Sequence, residues 1–278
     1  MIKIFGTDGI RSRVNTEPMT PDTCLKIARS AGYILSKKGK INRVVISKDT
    51  RLSGYVFEPV IASGFSSMGL EVLLVGPLPT PALAMLVGTL RADIGVMITA
   101  SHNKFSDNGL KIFDRDGYKI SNDLENKIEE LVFDKKKYES INKKIINTGR
   151  TKRLEDAAGR YTESIKNTFP KNKTLKGLKI VVDCANGANY KVAPSTLWEL
   201  GCDVIAIENY PNGENINLDC GAVSPKKLSE KVKETGAQIG FAYDGDGDRL
   251  IISDEKGKII DGDKIIALIA KEYLEKNK

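Results

Sequence analysis

Two pairs of short stretches recur in the same order along the chain. "GLEVLLV" (69–75) is echoed by "GCDVIAI" (201–207), and "ADIGVMI" (92–98) by "AQIGFAY" (237–243). Each is an apolar run of strand length rich in β-branched residues, and stretches of helical character lie between them. A chain that alternates strand and helix in this way, twice over, is restricted to mostly parallel sheets covered by helices on both faces. The predicted fold is therefore α/β, with two duplicated sheet units, mostly parallel or mixed. The duplication also places two loops, because the segments that follow Thr99 and Tyr243 leave equivalent strand ends. Open α/β sheets bind ligands beyond the carboxyl ends of their strands, so both loops are where chemistry is expected.

Further strands are predicted at "RVVIS" (43–47) and "LKIVVD" (178–183), with helices ending near Leu200 and running through Lys233. Thr20 as cap and Pro21 at the first helical position open a helix predicted to end near Gly39. Val72 to Leu90 carries no charge over nineteen positions, close to a membrane-spanning length. Pro77, Pro79 and Pro81 divide it into strand, loop and helix. A linker is predicted at "NTGR" (147–150), ahead of a helix at 153–168. The expected domains are 1–150, 151–253 and a further segment, 254–278, that begins a truncated third unit.

Composition excludes several classes. Cys24, Cys184, Cys202 and Cys220 are too few and too scattered for a disulfide framework or a zinc knuckle, and read as buried thiols. Lys and Arg exceed Asp and Glu by seven, but the signs are mixed, and the densest run, "DKKKYESINKK" (134–144), reads as a solvated face. No nucleic-acid or membrane partner is expected. The modest positive balance suits an anionic small substrate. "MIKIFGTDG" lacks the apolar core of a signal peptide, which makes a cytoplasmic location the expectation.

The first loop lies in "MITASHNKFSDNGLK" (97–111), where Ser101 precedes His102, the single histidine of the chain. A hydrolase serine would call for a strained G-x-S-x-G turn, which is absent here. Adjacent residues seldom face one another, so His102 is an awkward base for Ser101 and a Ser-His-Asp triad is not expected. The second loop reads "YDGDGDRLIISDEKG" (243–257), with Asp244, Asp246 and Asp248 spaced by Gly245 and Gly247. The glycines let alternate carboxylates turn to one point, and three clustered carboxylates repel unless a hard cation lies between them. A polar hairpin turn is the simpler alternative. Against it stands the register of three acids directly after an apolar strand, which predicts a divalent ion, magnesium first. The spacing also fits an EF-hand loop at several positions, but the sixth must be glycine and is Arg249. Arg249 beside such a metal suits phosphate handling, and a serine that carries a phosphoryl group needs a metal, cations and an acid/base nearby.

"FGTDGIR" (5–11), "TASHN" with "NGLK" (99–111) and "DGDGDR" (244–249), in this order, resemble the α-D-phosphohexomutase family along essentially the whole chain. "KDTRLSG" (48–54), "GPLPTPA" (76–82) and "VVDCANGA" (181–188) point to its glucosamine-phosphate branch. The resemblance implies an intramolecular phosphotransferase that interconverts glucosamine 6-phosphate and glucosamine 1-phosphate through a phosphoserine and a bisphosphate intermediate. It would make Ser101 the phosphoserine, and it would set Asp244, Asp246, Asp248 and a phosphoserine oxygen around Mg2+. Lys111 matches a residue implicated in proton transfer, Arg11 and His102 match residues around the phosphoserine, and Arg249 with Asn103 would bind phosphate. On the residues alone, Lys111 reads equally as a solvent-facing sheet-edge lysine, Arg11 as a surface charge, and Asn103, Asn108 and Gly109 as loop formers.

Lys104 stands where the family has proline and Ser12 where it has glycine. Family members carry two further domains with motifs E-x-S-G-H and R-x-S-G-T-E, neither of which occurs in these residues. The expectation is a chain that binds metal and carries phosphate on Ser101 but is a poor mutase alone, with an exposed apolar stripe from Ile259, Ile260, Ile265, Ile266 and Ile269. The alternatives are a catalytically incomplete phosphate-binding subunit that needs a C-terminal partner, a mutase for mannose or glucose phosphates, and a magnesium-dependent phosphatase. Besides the hexosamine phosphate, the partner expected is a second copy of the chain or a C-terminal partner chain.

Overall fold

A computed structural model describes residues 3–36, 42–142 and 147–276. The first unit opens with β1 (Ile10–Arg13), α1 (Pro21–Leu35), β2 (Arg43–Lys48), α2 (Gly54–Ser67), β3 (Glu71–Pro77) and α3 (Thr80–Thr89). It continues with β4 (Ile94–Ile98), β5 (Asp107–Phe113), α4 (Asn122–Phe133), α5 (Lys135–Asn142) and β6 (Thr151–Arg153). The second comprises α6 (Ala157–Lys166), β7 (Lys179–Asp183), α7 (Val192–Glu199), β8 (Asp203–Ile207) and α8 (Lys226–Thr235). β9 (Ile239–Tyr243), β10 (Leu250–Asp254), β11 (Ile259–Ile260) and α9 (Gly262–Lys276) complete it.

The local reasons match the sequence. The Thr20 hydroxyl accepts the Thr23 N–H at 3.3 Å, Pro21 starts α1, and Cys24, Ile27, Ala28 and Ala31 bury one helical face. The helix stops at Leu35, and Gly39 lies outside the described residues. The uncharged stretch splits at its prolines into β3 and α3, and among the described residues no helix is long and apolar enough to cross a membrane.

The sheets are mixed. Strand order is β1-β5-β4-β2-β3-β6 in the first and β11-β10-β9-β7-β8 in the second. Within them β5-β4-β2-β3 and β10-β9-β7-β8 have the same order and directions, with β5 and β10 antiparallel to their neighbours β4 and β9. The repeat legible in β3/β8 and β4/β9 thus extends to the topology. β6 pairs with β3, so the first sheet takes a strand from just beyond residue 150.

Helices cover both faces. Ile27, Phe57, Ile61, Phe65 and Ile128 pack against Val44, Ile46, Val96 and Ile98 on one side of the first sheet. On the other, Leu83, Leu86 and Val87 meet Val45, Leu73 and Met97, and Ala157 and Val192 of the second unit join the same cluster. Each fully buried aliphatic side chain contributes roughly 1.5–3 kcal/mol. This shared cluster fixes one unit against the other and sets the ends of β4 and β9 face to face. The second unit has its own smaller clusters, Ile180, Val182 and Ala193 on one face and Val181, Leu228 and Val232 on the other.

All four cysteines are free and buried. Burial pushes the Cys24 and Cys220 thiols up to about 12, which leaves them unreactive. No residue of α9 is buried; Ile266 and Ile269 are exposed with Ile259, while Ile260 and Ile265 are half-buried.

Candidate functional site

The loops that leave β4 and β9 meet. Ser101 Oγ donates to Asp244 Oδ2 at 2.6 Å, although 143 positions separate the two residues. The approach demands glycine at 245: a Cβ there would stand 2.6 Å from the Ser101 carbonyl oxygen and 2.7 Å from Asn217 Nδ2. Gly247 turns the loop with φ +68°. Gly245→Ala is expected to cost about 1–3 kcal/mol by overpacking and to part the two loops. Denaturant unfolding together with Mn2+ titration checks both effects.

One ligand oxygen from each of Asp244, Asp246 and Asp248 lies within 4.8 Å of the others. Asp244 and Asp246 are fully buried, and Asp246 Oδ1 has no hydrogen-bond partner. Its Oδ2 accepts from Thr80 Oγ1 at 2.6 Å and from Lys111 Nζ at 2.8 Å. Three converging carboxylates with an unpartnered buried oxygen are the donor set a hard divalent cation takes, so the residues present fit the metal. β9 and β10 flank the loop as antiparallel strands, which excludes the helix-flanked EF-hand.

Burial, and then the Asp246 carboxylate, push Asp244 up to about 7. Burial would raise Asp246 as well, but the Lys111 ammonium outweighs it and holds that carboxyl below its usual range. A proton therefore competes with a cation for Asp244 near neutrality. Divalent-ion affinity is expected to fall about tenfold per pH unit as pH drops below about 7, and isothermal titration at several pH values tests this.

Lys111 is not the edge lysine of the simpler reading. β5 lies between β1 and β4, and the ammonium is buried against Asp246, Asp248 at 2.7 Å and Asp8 at 3.2 Å. Burial disfavours the charge, yet the two loop aspartates overrule it and raise the lysine above its ordinary value. Arg11 Nη2 shares the same Asp8 oxygen at 2.6 Å, which ties it to the site rather than to open surface. Burial, and then Arg249 and Arg11, lower the His102 pKa below its ordinary value and favour the uncharged imidazole. Arg249 is exposed, with its backbone N–H on Asp244 Oδ1 at 3.2 Å. The Asn103 amide is used within its own loop, on Asp107 Oδ2 at 2.8 Å, an assignment closer to the loop former than to a phosphate ligand.

Comparison with known proteins agrees with this geometry. Family models described as phosphoglucomutase/phosphomannomutase, alpha/beta/alpha domain I and domain II, match residues 2–139 and 159–257. The chain belongs to the phosphoglucomutase/phosphomannomutase family. Phosphoglucosamine mutase of Parvibaculum lavamentivorans is 53% identical over 273 residues, which cover 98% of this chain and 60% of that protein. The same enzyme of Rhizobium rhizogenes is 54% identical over an equal span. A solved phosphoglucomutase/phosphomannomutase family protein from Burkholderia thailandensis aligns with a TM-score of 0.84 and 28% identity, over 99% of this chain and 59% of that one. The present phosphohexomutase chain thus spans about 60% of the length of the curated relatives it matches.

Several residues of this phosphohexomutase site escaped the sequence reading. Thr80, at the start of α3, holds Asp246 through both its hydroxyl and its N–H, at 2.6 and 2.8 Å. Asp8 bridges Arg11 and Lys111. Thr80 and Asp8 lie in "GPLPTPA" and "FGTDGIR", so the motifs were visible while the contacts were not. Ser12 lies in β1 opposite Asn108 and has no positive φ, so its replacement of a family glycine brings no backbone strain.

Proposed function

We propose that this chain is the phosphoserine and metal-binding part of a phosphoglucosamine mutase. The observation that carries the reading is the bond from Ser101 Oγ to Asp244, a carboxylate of the triad. In the charging step the Ser101 Oγ–P bond forms as an ester O–P bond of a hexose bisphosphate breaks. The serine proton passes to the departing ester oxygen, so no proton is gained or lost. The return step hands the phosphoryl group to the other hydroxyl of the sugar phosphate. Mg2+ held by Asp244, Asp246 and Asp248 would neutralise charge on the phosphoryl oxygens.

The chain's own residues do the rest. The buried ammonium of Lys111 draws phosphoryl charge into the cleft. Held above its ordinary value, it yields a proton only to a strong base such as the departing ester oxygen, and the amine so formed takes up the serine proton. His102, biased toward its uncharged form by burial, Arg249 and Arg11, limits the fixed positive charge beside the serine. Arg11 and Arg249 attract the anionic substrate. The identity to named phosphoglucosamine mutases supports glucosamine phosphate as the substrate, and cytoplasmic placement accompanies that reading.

The test is incubation with glucose 1,6-bisphosphate and Mg2+, followed by intact-mass analysis and product NMR. A phosphoryl adduct on Ser101 with hexose monophosphate released is expected. Accumulating free phosphate without adduct turnover to sugar would replace the mutase reading with a phosphatase.

A further inference from the structure

We propose that Asp49, Arg51, Thr99 and Asn217 are positioning residues that hold Ser101 in register for phosphoryl uptake, with Asn217 making that register depend on contact between the two α/β units. The inference rests on the phosphoserine reading above and deepens it.

Ser101 has φ +53°, a left-handed conformation that residues bearing a Cβ seldom take. Something must hold it there. Its N–H donates to Thr99 Oγ1 at 2.8 Å, and the Thr99 hydroxyl donates to Asp49 Oδ2 at 2.7 Å. The same Asp49 carboxylate accepts from Arg51 Nε at 2.8 Å and from the Arg51 backbone N–H at 3.0 Å. Arg51 Nη2 then returns to the loop, donating to the carbonyls of Ser101 at 2.9 Å and Asn103 at 2.8 Å. One carboxylate therefore closes a ring of bonds that grips the serine by its N–H and its C=O. Asp49, Arg51 and Thr99 are all buried, and Arg51 Nη1 serves the carbonyls of Lys104 and Asp107. The guanidinium is spent on backbone, which rules it out as a phosphate ligand.

The second unit completes the grip. Asn217 Nδ2 donates to the same two carbonyls, Ser101 at 2.9 Å and Asn103 at 3.1 Å. Asn217 is held in turn by its N–H on the Ala185 carbonyl at 2.9 Å, in the loop after β7. The loop carrying the serine is thus read from both sides of the cleft, and from the side that also supplies the aspartates. A serine that must alternate between hydroxyl and phosphoryl states while meeting those aspartates gains from backbone anchors independent of its side chain.

The decisive variant is Asn217→Ala, since Asn217 is only part-buried; Arg51→Lys is the second, because a single ammonium cannot span the carbonyls a guanidinium reaches. The full 278-residue chain is mixed with glucose 1,6-bisphosphate and Mg2+, and phosphoryl uptake on Ser101 is followed by mass. In Asn217→Ala the saturating rate is expected to fall about 10- to 100-fold, at an unchanged half-saturating bisphosphate concentration. Mn2+ affinity should stay within about twofold by isothermal titration, because the aspartates keep their places. Amide exchange across residues 99–105 should accelerate in the same variant. Wild-type uptake rate in Asn217→Ala, unchanged exchange, or a rate loss matched by lost Mn2+ affinity would each overturn the inference. If the wild-type chain itself takes no phosphoryl group, the phosphoserine reading fails first and this one with it.

Discussion

Ser101→Ala should give a folded chain that still binds a divalent ion but takes up no phosphoryl group, with the uptake rate down by at least about 10³-fold. The side chain is small and its hydroxyl is turned to the Asp244 carboxylate, so its loss removes little from the core. Asp244, Asp246 and Asp248 remain in place, held by Thr80, Lys111 and the backbone of Arg249. The expected pattern is therefore a large loss of transfer with a small change in Mn2+ affinity and thermal midpoint. Among the described residues, Thr80 is the other group near the triad that combines a nucleophilic oxygen with a 2.6 Å contact to it, and its hydroxyl is turned to Asp246 Oδ2. Residual uptake in the Ser101 variant that vanished in a Thr80→Val double variant would move the nucleophile to Thr80.

Lys111→Met should destabilise the metal-free chain by about 3–5 kcal/mol, the usual consequence of removing one partner from a buried charge cluster. Its ammonium separates Asp246 from Asp248 and draws Asp8 in as well. Without it, the buried Asp246 carboxylate faces Asp244 and the more exposed Asp248 unneutralised. Saturating Mg2+ should recover much of the loss, because the ion binds the native chain alone and supplies the missing positive charge. Denaturant melts of both chains with and without Mg2+ measure this. A deficit identical in the two conditions would show that Lys111 supports the fold and not the carboxylate site. Transfer should remain impaired even where Mg2+ restores stability, since the proton carrier is gone.

The chemistry-bearing loops were legible because they are local. The repeat in β3/β8 and β4/β9 predicts equivalent strand ends, and short motifs at those ends name Ser101 and the three aspartates. The helix cap at Thr20 and the prolines after Val75 were readable for the same reason, since each acts within a few residues. What the sequence concealed are pairings across long separations. Lys111 reads as an edge residue until β1 is seen to cover β5. Arg51 is one unassigned letter of "KDTRLSG" until its guanidinium is found buried on four carbonyls of the Ser101 loop. Asn217 lies in an irregular loop with no periodicity, and only the docking of the two sheets brings its amide to Ser101. β6 was missed because three residues at a sheet edge carry too little pattern to register as a strand.

Whether the phosphorylated serine and the aspartates share one ion can be measured directly by 31P NMR of the phosphoryl chain during Mn2+ titration. Paramagnetic broadening of the phosphoserine resonance at one equivalent of Mn2+, relieved when Asp246→Asn and Asp248→Asn are combined, is the predicted result. A resonance that stays sharp while Mn2+ is bound would place the ion and the phosphate apart, and would contradict the account.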